Sequence, residues 1–281
     1  MIKIGEYNKL KIAREVDFGV YLDAGQDGEI LMPRKYVPET CEAGDEVDAL
    51  IYTDSEDRLV ATTEKPLVYA GGLAALKVKQ ITDFGAFLDW GITKDLLLPF
   101  SEQTRTIAEG DVVVVYAYAD NKSRRMAATM KWEKHADYNP DTETIVPGAE
   151  CEITVAGQTD IGFKVLVNGR YYGLVYANEV FSDLKNGETR KAYIRKIRED
   201  GKMDISLSPV GFLNKIGGDT DKIVGKLRAA GGFLPTTDKS PAEVIYSTYG
   251  ISKKSYKQAV GRLYKQHVIE LMPDGIRLVR H

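Results

Sequence analysis

Cysteine and histidine are the scarcest chemistry-bearing residues of this 281-residue chain, at two and three. Cys41 and Cys151 are too far apart for a metal-ligand spacing or a disulfide framework, so both read as inert, half-buried thiols of a reducing cytoplasm. His135, His267 and His281 lack ligand-like neighbours, and no Walker or Rossmann glycine pattern occurs. Asp54-Ser55-Glu56-Asp57 has the acids of a calcium loop without the rest of its ligand frame, and reads as a hairpin turn. No run approaches ~18 uninterrupted apolar residues, which excludes a membrane-spanning helix. The start, Met1 to Tyr7, carries no apolar core of signal-peptide length. The expectation is a cytoplasmic, non-enzymatic protein with no cofactor, no metal and no membrane contact.

A strong net charge is also missing. The formal value of −3 argues against a general polyanion binder, but it averages over an asymmetry. Residues 1–70 carry net −7, residues 71–145 net −2, residues 146–214 net zero and residues 215–281 net +6. An acidic head and a basic tail make any nucleic-acid contact uneven along the chain.

Internal repetition is plain. Three apolar runs end in Asp-x-Gly, at Asp17-Phe18-Gly19, Asp83-Phe84-Gly85 and Asp160-Ile161-Gly162. Each leads into a short alternating run, then a second apolar run (Glu29–Met32, Asp95–Leu98, Gly173–Tyr176). A Gly-acid pair follows (Gly44-Asp45, Gly110-Asp111, Gly187-Glu188), opening a long strand. A charged turn and a last short strand close each unit. About five short strands over roughly 60 residues, punctuated by Gly and Asp, predict an antiparallel all-β unit. A unit this small removes its exposed edges best by closing on itself, which favours a five-stranded OB-type barrel. Glu64-Lys65-Pro66 separates the first two units; a short helical stretch around Lys131–His135 and a polar linker through Asn139-Pro140-Asp141-Thr142 precede the third.

This order resembles the S1 RNA-binding domain of the OB fold, most closely at Gly173-Leu174-Val175-Tyr176-Ala177-Asn178-Glu179 and Asp204-Ile205-Ser206-Leu207-Ser208. The whole chain resembles the conserved virulence factor B family of bacterial S1-type proteins. That resemblance is carried by Asp54–Thr63, Phe84–Gly91 and Ile251-Ser252-Lys253-Lys254-Ser255-Tyr256. It implies a mainly β chain of tandem S1-type barrels followed by an α+β winged-helix domain, with RNA binding and no catalytic residues. The implied units are 1–66, 70–132, 146–209 and 217–281.

Single-stranded nucleic acid is held by aromatic platforms under the bases and cations along the backbone. The resemblance maps the platforms to Phe18 and Tyr21, then to Phe84 and Phe87. A spacing of three would split each pair between the faces of a flat strand, so a glycine-permitted bulge between them is expected. The competing reading makes these rings barrel core. A third platform position falls on Pro33, Pro99 and Tyr176, while Ile161 and Lys164 replace the aromatics of the third unit. The first unit is too acidic to attract a phosphate backbone. The second offers Lys122, Arg124 and Arg125, and the third Arg190, Lys191, Arg195, Lys196 and Arg198. In a regular strand Arg195 and Lys196 point to opposite faces.

After Gly217-Gly218 the apolar period lengthens from two to about 3.6. One helix spans Asp219–Ala230 and ends at Gly231-Gly232. Ser240 as N-cap and Pro241 at the first helical position open a second, and Ser252 caps a third that runs to about His267. Val268–Leu271 and Ile276–Val279 form a hairpin around Pro273-Asp274-Gly275. Three helices and a two-stranded wing make a winged helix. On the third helix Tyr256, Ala259, Val260, Leu263 and Tyr264 share an apolar arc, and Lys254, Lys257, Arg262 and Lys265 lie opposite. Such a helix can enter a major groove, track an RNA backbone or dock on a protein partner. The expectation is a regulator that binds single-stranded RNA. A DNA-binding regulator led by the winged helix and a protein-binding scaffold are the alternatives.

Overall fold

The computed structural model describes residues 1–177, 180, 184–207, 218–265 and 268–279. The first barrel comprises β1 (Tyr7–Val16), β2 (Gly19–Asp23), β3 (Glu29–Pro33), β4 (Glu46–Thr53) and β5 (Leu59–Thr62). Its strand order is β1-β2-β3-β5-β4, closed by β1 pairing antiparallel with β4, while β3 and β5 run parallel. Alternation does the sorting: Val20, Leu22, Ile30 and Met32 fill the interior, and Tyr21 and Leu31 between them face outward, half-buried.

The second barrel repeats this cycle with β6 (Leu73–Thr82), β7 (Gly85–Leu88), β8 (Leu96–Pro99), β9 (Val112–Ala119) and β10 (Met126–Thr129). The third repeats it with β11 (Glu150–Thr159), β12 (Gly162–Val167), β13 (Tyr171–Tyr176), β14 (Thr189–Ile197) and β15 (Met203–Ser206). Each barrel carries a register shift in its first strand, between Ile12 and Arg14, Val78 and Gln80, and Val155 and Gly157. The expected bulge between the paired aromatics is therefore not where the strands bend. Phe18 and Phe84 instead occupy the turn before the second strand. The glycine after each turn is required by close approach. A Cβ on Gly19 would run into the Met32 carbonyl of the neighbouring strand, and Gly85 meets Leu98 in the same way.

The barrels are not beads on a flexible string. Ile4, Leu50 and Tyr52 of the first share a core with Trp90 and Ile92 of the second and with Val68 of the segment that joins them. Tyr52 and Trp90 meet edge-on at 6.3 Å, and the Trp90 indole donates to the Val68 carbonyl at 2.6 Å. Burial pushes the Tyr52 phenol up to about 12. Glu64, expected in a linker, accepts hydrogen bonds from the Thr93 amide and hydroxyl. Between the second and third barrels the short helical stretch is a 3-10 turn, Trp132–His135. Trp132 is 1% exposed and packs with Val114, Ala136 and Leu166, its ring 5.6 Å from that of Tyr172.

The last domain contains α1 (Asp219–Ala229), β16 (Phe233–Leu234), α2 (Ala242–Tyr249), α3 (Lys253–Lys265), β17 (Ile269–Met272) and β18 (Gly275–Leu278). β16 joins the hairpin, so the wing is a three-stranded sheet ordered β16-β18-β17 rather than a two-stranded one. Ile223, Leu227, Ile245, Tyr256 and Leu263 form its core. The Tyr256 hydroxyl donates to the Thr236 carbonyl, which satisfies the polar tip of a buried ring. Ser252 caps α3 through the Ser255 amide as expected. At α2 the N-cap position falls on Pro241, and the Ser240 hydroxyl accepts from the Thr237 amide instead, so it stabilises the preceding turn. The expected end of α3 at His267, Asn178, Glu179 and Ser208 lie outside the described residues.

Candidate nucleic-acid interface

In the first two barrels the aromatic pair projects outward. Phe18 is 58% and Phe84 60% exposed, and Tyr21 and Phe87 are half-buried, so the core reading of these rings is overturned. The turn before the second strand brings the members of each pair to one side. Phe18 and Tyr21 meet edge-to-face at 6.4 Å, Phe84 and Phe87 at 5.9 Å. The third platform position is a matter of register: Gly19 faces Pro33, Gly85 faces Pro99 and Gly162 faces Tyr176.

The register also aligns one outward row in each barrel: Arg14–Tyr21–Leu31, Gln80–Phe87–Leu97 and Gly157–Lys164–Leu174. Arg14 thus reaches the Phe18–Tyr21 pair although its barrel is acidic overall. Its guanidinium sits 4.0 Å above the Tyr21 ring and pairs with Glu29 at 2.8 Å. Arg34 donates to the Val16 carbonyl at 2.9 Å and to the Asp17 carbonyl at 3.2 Å, holding the turn that carries Phe18. Sequence reading missed both residues. The register shift that sets Arg14 opposite Tyr21 has no sequence mark, whereas the place of Arg34 directly after Pro33 was a signal available to find it.

The second barrel's arginines are placed differently from expectation. Arg124 and Arg125 lie in the β9–β10 turn and pair with Asp27 and Asp57 of the first barrel, Arg124 at 3.1 Å. The hydrogen bond from Arg125 holds the Asp57 carboxyl below its ordinary range. These cations knit two barrels together, and the structure does not bring them to the Phe84–Phe87 pair.

In the third barrel Ile161, at the position of Phe18 and Phe84, is 58% exposed. Lys164 pairs with Glu133 of the 3-10 turn and is largely covered. The Tyr176 hydroxyl accepts from Arg198 at 3.0 Å, and Arg198 in turn donates to Asp204 at 2.8 Å. The Asp204 hydrogen bond raises the Arg198 pKa further. Tyr176 and Arg198 therefore form one cluster. β14 shifts register between Ile194 and Lys196, so Arg195 and Lys196 are both exposed rather than on opposite faces.

On α3 the basic residues Lys254, Lys257, Arg262 and Lys265 are all exposed, while Tyr256, Ala259, Val260 and Leu263 are buried. Tyr264, at the edge of the apolar arc, departs from it at 51% exposure. Among the described residues no cluster of three or more His, Cys, Asp or Glu could hold a metal ion, and no helix is long and apolar enough to cross a membrane.

Repeated barrels, two of them with outward aromatic pairs, followed by a winged helix with a basic third helix, define a protein assembled from nucleic-acid-binding domains. The S1 domain family matches residues 4–64 and 70–131, and the CvfB-like winged helix domain matches residues 221–278. The third barrel has the strand order of the two that match. These families are nucleic-acid-binding domains rather than enzymes. Uncharacterized protein YitL of Bacillus subtilis (strain 168) is 27% identical over 267 residues, covering 93% of this chain and 89% of that one. Conserved virulence factor B of Staphylococcus aureus (strain USA300) is 25% identical over 246 residues, covering 85% and 81%. A multidomain protein with nucleic acid binding domains from Streptococcus pneumoniae TIGR4 has the same fold at 22% identity, with a TM-score of 0.50 over 98% of each chain. The chain thus joins S1 domains to a CvfB-like winged helix and is similar to conserved virulence factor B over most of its length.

Proposed function

We propose that this protein is a cytoplasmic, non-enzymatic regulator that binds single-stranded RNA and acts after transcription, without cofactor or metal. The observation that carries the reading is the outward, edge-to-face pairing of Phe18 with Tyr21 and of Phe84 with Phe87. Large rings left half-exposed on a barrel surface need a reason, and base stacking supplies one. Tyr176, Arg195 and Arg198 on the third barrel extend the contact, and Lys254, Lys257, Arg262 and Lys265 attract the phosphate backbone. Arg198, Lys164, Arg124 and Arg125 all hold carboxylate partners and contribute by exchanging them for phosphate. The working division is three RNA-facing barrels at 1–66, 70–132 and 146–209 and a basic domain at 217–281.

The exposed cation row of α3 favours a second reading, in which that helix enters a duplex major groove. Fluorescence anisotropy with single-stranded RNA, single-stranded DNA and duplex DNA, at several salt concentrations, separates the two. Single-stranded RNA should bind tightest, with affinity falling as salt rises through counterion release. Equal or tighter binding of duplex DNA would transfer the function to the winged helix.

A further inference from the structure

Away from the platforms, three chain segments meet in a groove lined by Leu67, Tyr69, Gly71, His135, Asp137 and Arg170. Its walls come from the segment that joins the first two barrels and runs into β6, from the segment after the second barrel, and from the third barrel. Tyr69 lies between the first two barrels and touches Tyr7 of the first, ring centroids 5.8 Å apart. His135 follows the second barrel, and Arg170 is in the β12–β13 turn of the third. The surface is apolar where it is open: Leu67 is 60% and Tyr69 42% exposed. Space above Gly71 is unfilled, since a Cβ there would meet nothing within 4 Å.

One wall has a definite chemical shape. The His135 ring lies 3.7 Å from the Tyr116 ring and only 4° from parallel, and Tyr116 is within 14° of parallel with Tyr118 at 6.3 Å. The ladder ends in His135, which is exposed. A ladder of parallel rings with an open terminal ring is extended by one more flat ring at van der Waals spacing. A cation stands beside it. The Arg170 side chain is 65% exposed, and its ion pair with Asp137 at 2.6 Å fixes it at the groove edge.

We propose that this groove takes one nucleobase of a single-stranded RNA, stacked on His135, with the adjoining phosphate at Arg170. The site lies on the junction of the barrels, away from the Phe84–Phe87 platform, and guides a strand from the second barrel toward the third. The inference rests on the single-stranded RNA reading above. An apolar peptide side chain is the competing occupant, and it would not need the ladder or the cation.

The test uses the full chain and a short fluorescein-labelled single-stranded RNA, followed by anisotropy, with a thermal melt of every variant. His135→Ala should weaken binding about tenfold, the loss of one stacked base. His135→Phe keeps a flat ring and should restore most of the affinity. Arg170→Ala should flatten the salt dependence, because it leaves one phosphate without its cation. Wild-type affinity in His135→Ala, or a Phe variant as weak as the Ala variant, overturns the groove while leaving RNA binding intact. Absence of RNA binding by the wild-type chain overturns both readings. Adenosine monophosphate alone should leave the His135 imidazole resonance unmoved at concentrations where the RNA shifts it. A shift by the free nucleotide would replace the strand with a nucleotide as occupant and overturn the proposal.

Discussion

The Phe84 ring meets the Phe87 ring edge-on with centroids 5.9 Å apart, on the outside of the second barrel. The spacing of three puts one ring in the turn and the other in the strand. Phe87→Ala should weaken RNA binding by about 5- to 150-fold, the equivalent of one stacked base. The melting temperature should stay close to the wild-type value, because a half-buried ring leaves no cavity on the scale of a core Phe, which costs ~3–5 kcal/mol. A melt recorded beside the binding curve checks this; a large drop would return Phe87 to the core.

Charge reversal at Lys254, Lys257 and Lys265 together should lower RNA affinity and reduce the salt slope, by roughly 0.7 for each single-strand phosphate that is no longer neutralised. Folding should be unaffected, since all three side chains leave the buried Tyr256–Leu263 stripe untouched. Binding isotherms across a salt series decide it. An unchanged slope would assign α3 to protein docking.

Trp132→Ala should destabilise the junction of the second and third barrels by ~3–5 kcal/mol, because the ring is 1% exposed and packed against Tyr172. Urea unfolding monitored at separate reporters in the two barrels would reveal it. A variant as stable as wild type would show that the 3-10 turn does not couple them.

Acid should loosen the junction of the first two barrels. Asp57 is lowered from its ordinary 3.8 chiefly by the Arg125 hydrogen bond. Asp27 is lowered first by the Ile2 amide and further by Arg124. A carboxyl whose folded pKa is depressed contributes its full stability above the unfolded value and loses it as pH falls through the folded value. The junction should therefore weaken below about pH 4, and Asp57→Asn should remove part of that dependence. Hydrogen exchange in the β9–β10 turn measures it, and protection that does not vary with pH would argue against the pairing.

The two thiols should react unequally. Cys41 is half-buried, but Cys151 is buried, with its pKa pushed up to about 11 by desolvation. The reading of two half-buried thiols thus holds for the first alone. Alkylation followed by mass spectrometry should modify Cys41 well before Cys151; equal rates would contradict the burial.

Much of the architecture was legible in the sequence. Asp-x-Gly turns, period-two alternation and Gly-acid pairs mark the barrel strands because each is a local demand of the backbone: a glycine where another strand passes close, apolar side chains on one face. The change to a helical period after Gly217-Gly218 marks the last domain for the same reason, and the apolar and basic sides of α3 follow from rotation alone. Ser252, a local cap, was equally readable.

Tertiary structure decided what the charges and the paired rings do. Arg124 and Arg125 meet Asp27 and Asp57 across 97 and 68 residues of sequence, and Lys164 meets Glu133 across 31. Separations of that size leave no periodic trace, and only the packing of one barrel on another sets them. The register shifts that place Arg14 over Tyr21 and expose both Arg195 and Lys196 belong to the same class. A strand slips where its closed neighbours require the extra residue, and sequence patterning is blind to a change that moves side chains without altering which residues are apolar.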